Sequence, residues 1–305
     1  MAKKNTAEVL INGKIYVISG YESTAYLQKV AAYLNEMEEK VTAMDGYRRL
    51  GSEEKQLLKN MNLADEYFNI THPYGLWKDT GVRMEGDAVR SLTVMFLEMW
   101  NAIKKTDTDY TAYFPEITYA AKQTGYVQPY ADNPLDDEHT GENVYMNVLN
   151  SAREYAYFIT PYLLISDEMK KAFTLAARRG VDVRIITPGI PDKKFVYQAT
   201  RSYYNRLVKK GVRIFEYTPG FCHAKQCVSD DKAAVVGTIN LDYRSLYHHF
   251  ENAAAFYHKD AVAGVKADFD HLFEECHEVT EQYRSHRSTA LRIGQCILRL
   301  FAPLL

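Results

Sequence analysis

Apolar and polar residues alternate through residues 6–19, TAEVLINGKIYVIS, around Asn12-Gly13. A period of two on both sides of an Asn-Gly pair predicts a β-hairpin. The period then lengthens. Tyr26, Leu27, Val30, Ala31, Tyr33, Leu34, Met37 and Val41 recur at helical spacing from about Ser23, with Glu and Lys between them, so an amphipathic helix is expected, ended by Gly46. A second helix is expected over residues 52–68, which opens on a Ser-x-Glu-Glu start and carries Leu57, Leu58, Met61 and Leu63. A hairpin followed by long amphipathic helices is an assembly or docking architecture, and no catalytic set falls within it.

The next stretch, HPYGLWKDTGVRMEG, reads as a loop and a strand. DAVRSLTVMFLEMWNAI reads as a helix with Val89, Leu92, Val94, Met95, Leu97 and Trp100 largely buried. Trp77 and Trp100 are expected in the core, and the polar, aromatic residues 104–122 form a loop. Beyond them the pattern becomes regular. A helix over 142–154, a buried strand over 155–160, a helix over 167–179 stopped by Gly180, the strand VDVRIITP, a helix over 195–210 ended by Gly211 and the strand VRIFEY follow in turn. This βαβα alternation predicts parallel strands covered by helices. Ligands in such sheets bind beyond the carboxyl ends of the strands, where the loops after Thr160, Thr187 and Tyr217 lie.

Composition narrows the picture. With 305 residues and 47% hydrophobic content the chain holds one large or two ordinary domains. A formal charge of -2 counts against a nucleic-acid partner. Cys222, Cys227, Cys276 and Cys296 have no metal-type spacing and suit reduced thiols. The opening MAKKNTAEVLINGKIY contains no apolar run long enough for a signal peptide or a spanning helix. The cluster Asp136, Asp137, Glu138 and His139 is read as a solvated helix start rather than a metal site.

Chemistry concentrates in residues 221–251, FCHAKQCVSDDKAAVVGTINLDYRSLYHHFE. His223 and Lys225 are two apart in a run (222–229) that reads as a strand, so both point to one face. Asp230-Asp231-Lys232 is a turn signal, and the returning strand brings Gly237-Thr238-Ile239-Asn240 back towards His223. A nucleophile, a fixed positive charge and an amide donor suit attack on a phosphodiester. His248 and His249 stand in a strand-like run and are expected to face opposite ways.

The spacing H-x-K-x4-D followed by G-T-x-N resembles the HKD signature of the phospholipase D superfamily, through His223, Lys225, Asp230, Gly237, Thr238 and Asn240. NLDYRS and Glu251 narrow the resemblance to bacterial cardiolipin synthases. It implies an α/β fold with a phospholipase D-like mixed sheet flanked by helices. The reaction implied is transfer of a phosphatidyl group between two phosphatidylglycerol molecules through a phosphohistidine, with no cofactor and no metal. His223 and Lys225 would be catalytic, with Asp230 a structural motif residue. Asn240 and Thr238 would meet substrate, and Glu251 would orient the histidine through its other ring nitrogen. Anionic phospholipid and a peripheral position on the cytoplasmic face of the membrane are implied as well.

The opening residues VLINGKIYVISGYESTAYLQKVAAYLNEMEEK, then DGYRRL and NLADEYF, resemble a second family, the cell-division protein ZapA of Gram-positive bacteria, which dimerises through helices and supports the FtsZ ring. Four segments follow: a ZapA-like hairpin and helices over 1–69, a remnant of a first phospholipase D-like half over 70–135, the catalytic half over 136–280, and a basic amphipathic tail over 281–305. The tail suits an anionic lipid surface or docking on its own domain. The two resemblances meet at the string Asn62 to Tyr67, as though spliced there. A first HKD motif is absent upstream, so impaired transfer is expected, although a homodimer about a two-fold axis is a conceivable source of the second histidine. Two alternatives stand beside it: a non-catalytic division scaffold acting through FtsZ, and a single-motif phosphodiesterase active only as a homodimer.

Overall fold

A computed structural model describes residues 5–11, 13–20, 23–42, 51–52, 55, 77–104, 109–118, 125–285, 294, 298–299 and 302. They fall in two compact units, Met1–Pro73 and Tyr74–Leu305.

In the first unit, β1 (Asn5–Ile11) and β2 (Lys14–Gly20) pair antiparallel from Asn5↔Gly20 to Ile11↔Lys14. Gly13 turns the chain with φ at +72°, the left-handed region in which glycine costs least. Helix α1 (Thr24–Thr42) covers one face of the hairpin, packing Ala31 and Leu27 on Ala7 and Val9. Leu10, Ile15 and Val17 stay exposed. Of the second expected helix only residues 52 and 55 are described, both helical, and the rest lies outside the described residues.

The second unit begins with an extended segment from Trp77, in which Lys78 bridges Cys222, and continues into α2 (Ala88–Lys104). The expected strand after residue 78 does not form. The expectation that α2 is largely buried also fails: Leu97 alone is buried, while Val89, Val94 and Trp100 are exposed, Trp100 by 43%. The helix carries apolar residues around much of its circumference, and it rests on a single edge strand, β3 (Val127–Asp132). One apolar face is covered and the other is not.

The elements that follow are α3 (Thr140–Ser151), β4 (Tyr155–Ile159), β5 (Leu163–Leu164), α4 (Asp167–Arg178), β6 (Asp182–Pro188), α5 (Lys194–Val208) and β7 (Arg213–Tyr217). Next come β8 (Gln226–Ser229), β9 (Ala233–Gly237), β10 (Leu241–Asp242), α6 (Tyr243–Tyr247), β11 (Glu251–Phe256), α7 (Lys259–Glu275), β12 (Cys276–Glu278) and α8 (Thr280–Arg284). Eight strands form one sheet in the order β12-β7-β6-β4-β8-β9-β11-β3. The β4, β6 and β7 strands are parallel, as the alternation implied; the others join antiparallel, so the sheet is mixed. Helices α3, α4 and α5 bury Leu149, Phe173 and Tyr204 on one face, and α7 buries Phe269 on the other. Most of the C-terminal tail lies outside the described residues, but Arg299 donates to the Ser202 carbonyl at 2.9 Å, as a tail docked on its own domain would.

The β8–β9 hairpin turns through Asp230 and Asp231, with φ of +52° and +53°. Left-handed dihedrals at both central positions make the turn type I′, which suits strand twist and tolerates Asp. The Asp230 carboxylate also accepts the backbone N–H groups of Arg153, Glu154 and Tyr155 at 2.7, 3.0 and 2.9 Å, tying the hairpin to the start of β4. Burial acts to raise its carboxyl, but these amides outweigh it and hold it below its ordinary value. Replacing it is therefore expected to cost stability. Asp230→Ala should lose about 2–4 kcal/mol in urea denaturation, and Asp230→Asn, which keeps one acceptor, roughly half as much. An Asp230→Ala protein as stable as the parent yet devoid of activity would place this residue in the chemistry instead.

Candidate active site

Register places the site. Ile159, the last residue of β4, pairs with Gln226, the first of β8. The chain therefore enters β8 at the carboxyl end of the parallel strands, and His223 and Lys225 lie immediately before it. This corrects the expected strand over 222–229, which is ordered as a strand from Gln226 onward. Upstream of it the backbone pairs instead with the extended segment at Lys78: Lys78 N–H donates to Phe221, and His223 and Ala224 N–H both donate to the Lys78 carbonyl.

That second pairing brings in a residue that local spacing could not reveal. Asp79 lies 3.0 Å from His223 Nδ1, its partner across 144 positions of sequence. A carboxylate at Nδ1 selects the tautomer with its proton there, leaving the Nε2 lone pair for attack. The imidazole also packs at 5.1 Å from the Trp77 ring and 6.2 Å from Phe221, and is 36% exposed. It is thus held yet reachable. Glu251 was expected to orient this histidine and does not: its carboxylate accepts from the Thr238 hydroxyl and, at 3.0 Å, from the Ser245 hydroxyl. Glu251 begins β11, and Thr238 N–H donates to Asn252 at 2.8 Å, so the two side chains meet by register.

Lys225 is 6% exposed, and its ammonium donates to the His223 carbonyl. Burial pulls its pKa down to about 8, opposed by the charges of Asp79, Glu251 and Asp242. Asp79, the partner of His223, and Asp242, the neighbour of Asn240, thus both act on the same charge. Gly237 N–H donates to the Lys225 carbonyl at 3.2 Å. A Cβ at Gly237 would lie 2.3 Å from that of Ala253, so this glycine admits the neighbouring strand β11 rather than a ligand.

Asn240 is half committed. Its Nδ2 donates to Asp242 at 3.1 Å, while its Oδ1 is buried without a partner. Asp242, raised by burial above its ordinary carboxyl value, also caps α6 through Ser245 N–H at 2.8 Å. Asn240, Glu251 and His249 line a cavity of about 190 Å³ together with Tyr162, Lys193 and Arg244. His248 and His249 lie between α6 and β11 rather than in a strand, so alternation does not govern them; His249 Nδ1 stands 3.7 Å from Glu251. Asp230 sits at the opposite end of β8, away from this cluster. His139 packs edge-on against Tyr247, and no metal-type cluster occurs among the described residues.

Comparison with known proteins finds relatives for both parts of the chain. Residues 145–273 match the family model described as cardiolipin synthase, PLD-like domain, and residues 7–74 match cell division protein ZapA. An uncharacterized protein of Streptococcus mutans is 48% identical over 245 residues, covering 80% of this chain and 53% of that protein. A cardiolipin synthase of Geobacillus sp. is 34% identical over 246 residues, covering 80% and 49%. The chain spans about half the length of these relatives. Among solved structures, Nuc of Salmonella typhimurium, a phospholipase D family member, aligns over 54% of this chain and 100% of its own at 17% identity, TM-score 0.44. The C-terminal part of the chain is a phospholipase D-like domain. It matches the cardiolipin synthase type, and the segment before it matches ZapA. No described helix is long and apolar enough to cross a membrane.

One further carboxylate borders this site. Asp132, 3% exposed, pairs across the sheet with Glu251. Burial raises its pKa to about 6 against the Gly141 N–H that its Oδ1 accepts at 2.7 Å. A group that holds its proton more tightly folded than unfolded makes stability fall as pH rises, here from about 4 to about 6. Asp132→Asn is expected to be more stable than the parent by about 1–3 kcal/mol at pH 7.5 and to match it below pH 4 or so. Melting curves at both pH values check this, and a difference independent of pH would show that the carboxyl titrates normally.

Proposed function

We propose that this chain carries the phosphatidyl-transfer site of a cardiolipin synthase, with His223 as nucleophile. The observation that carries the reading is the Asp79–His223 pair beside the buried ammonium of Lys225. His223 Nε2 attacks the phosphorus of phosphatidylglycerol, and the P–O bond to the headgroup breaks as a proton passes to the departing glycerol oxygen. The phosphatidyl-histidine is then attacked by a hydroxyl of a second phosphatidylglycerol, which gives cardiolipin and restores the imidazole. Lys225, with Asn240's second amide proton, opposes charge on the non-bridging oxygens. A second imidazole would serve best as the acid. The rings packed on His223 among the described residues are Trp77 and Phe221, and a second copy of the chain about a two-fold axis would bring another imidazole to the site.

A second reading rests on the ZapA match and on the exposed Leu10, Ile15 and Val17 of the hairpin. An apolar strand surface of this kind suits assembly. Co-sedimentation of the chain with FtsZ polymers tests it, and a chain that stays in the supernatant would dismiss it.

Incubation with headgroup-labelled phosphatidylglycerol should release glycerol and form cardiolipin. His223→Ala should lower both by at least ~10³-fold, and Asp79→Asn by ~10-fold or more through the wrong tautomer. The rate should decline above about pH 8 as Lys225 loses its proton, and Lys225→Arg should move that limb upward. Release of glycerol that survives His223→Ala would refute the assignment.

A further inference from the structure

The reaction proposed above uses two anionic lipids but attacks one phosphorus. The acceptor's own phosphodiester passes through unchanged and must be held while its hydroxyl reaches the phosphatidyl-histidine. The residues assigned so far hold the reacting phosphate and leave this second anion without a place.

The cavity that Asn240 shares with Glu251 has the missing properties. Lys193 and Arg244 stand on it as exposed cations, and neither makes an ion pair with another described residue; Lys193 lies 5.8 Å from the Tyr162 ring. Asp242 and Glu251, its acidic members, are already engaged by the Asn240 amide and by hydroxyls. The Asn240 Oδ1, buried and unpartnered, is an acceptor that wants a donor. A phosphate cannot supply one, but a headgroup hydroxyl can. At about 190 Å³ the space exceeds that of several waters.

Glu251 is also a wall of a second cavity, of about 190 Å³, between α2 and the β3–β11 edge. That one is predominantly apolar, through Leu92, Met95, Phe96, Met99 and Phe250, with Glu98, Asp132, Asn133 and Asn252 also in its lining. A polar space holding unpaired cations and an apolar space thus adjoin through one side chain, the layout an amphiphile requires.

The geometry points to these adjoining cavities as the site of the acceptor phospholipid, with its phosphodiester between Lys193 and Arg244, a headgroup hydroxyl donating to Asn240 Oδ1, and an acyl chain lying along α2. This inference rests on the phosphatidyl-transfer reading but is tested by binding, apart from turnover. Calorimetric titration of the His223→Ala protein with monomeric dihexanoyl phosphatidylglycerol should resolve two sites per chain. One of them should weaken at least ~10-fold in the Lys193→Ala/Arg244→Ala double variant, whose melting curve should match the parent's. Met99→Trp, which fills the apolar cavity, should weaken the same site for the lipid while leaving the weaker binding of glycerol 3-phosphate unaltered. Absence of lipid binding, or two undiminished sites in the double variant, overturns the assignment. Glycerol 3-phosphate binding as tightly as the lipid overturns it as well, marking a site for water-soluble phosphates. Failure of the transfer reading itself would show separately, as parent protein that releases no glycerol.

Discussion

The antiparallel pairing of β8 with β4 in the middle of the sheet is the constraint on which the rest depends. β4 runs parallel with β6 and β7, so its carboxyl end is where the connecting loops open. A strand laid antiparallel beside it must enter the sheet at that end and leave at the other. His223 and Lys225 therefore arrive at the mouth, while Asp230 arrives at the floor, where it takes up three amides at the start of β4. One motif thus has its ends at opposite edges of the sheet, and its members do different physical work. A slip of one residue would exchange the face of every side chain in β8. The Asp230 anchor, with two left-handed residues in a turn of fixed length, opposes such a slip.

Burying an ammonium as deeply as Lys225 carries a desolvation cost of several kcal/mol unless charges nearby offset it. Asp79, Glu251 and Asp242 do so in part, since the pKa still settles near 8 rather than at its ordinary value. Each carboxylate is itself satisfied elsewhere: Asp79 by His223, Glu251 by two hydroxyls, Asp242 by the start of α6. The ammonium is left with a backbone carbonyl as its hydrogen-bond partner, a neutral acceptor for a charged donor. An anion entering the site would offer a stronger acceptor and raise the pKa again.

Much of this was legible along the chain because it is local. The β8–β9 hairpin, the parallel strands and their helices follow from periodicity and turn residues within a few positions of each other, and the hairpin at Gly13 does likewise. The misreadings concern partners far away in sequence. Asp79 sits in an extended segment with no pattern of its own, and its pairing with His223 depends on Lys78 lying along residues 221–224. Glu251 was read as a partner of His223 from the motif, yet register commits it to Thr238 and Ser245. For α2, hydropathy marks which residues could be covered but not which are: Leu97 is buried, whereas Phe96 and Trp100, their rings stacked at 6.0 Å, stay exposed.

The facing carboxylates Asp132 and Glu251 show how the site and the fold pull against each other. Like charges directly opposite in an antiparallel pair are unfavourable. The cost is reduced in different ways on the two strands. Asp132 holds its proton to about pH 6, and Glu251 takes two hydroxyl donors. Neither removes the conflict at neutral pH, and Asp132 still has one buried oxygen without a partner. Departures from local consistency concentrate where stability is not the sole demand. This one lies at the wall between a polar and a predominantly apolar cavity, where Glu251 lines both.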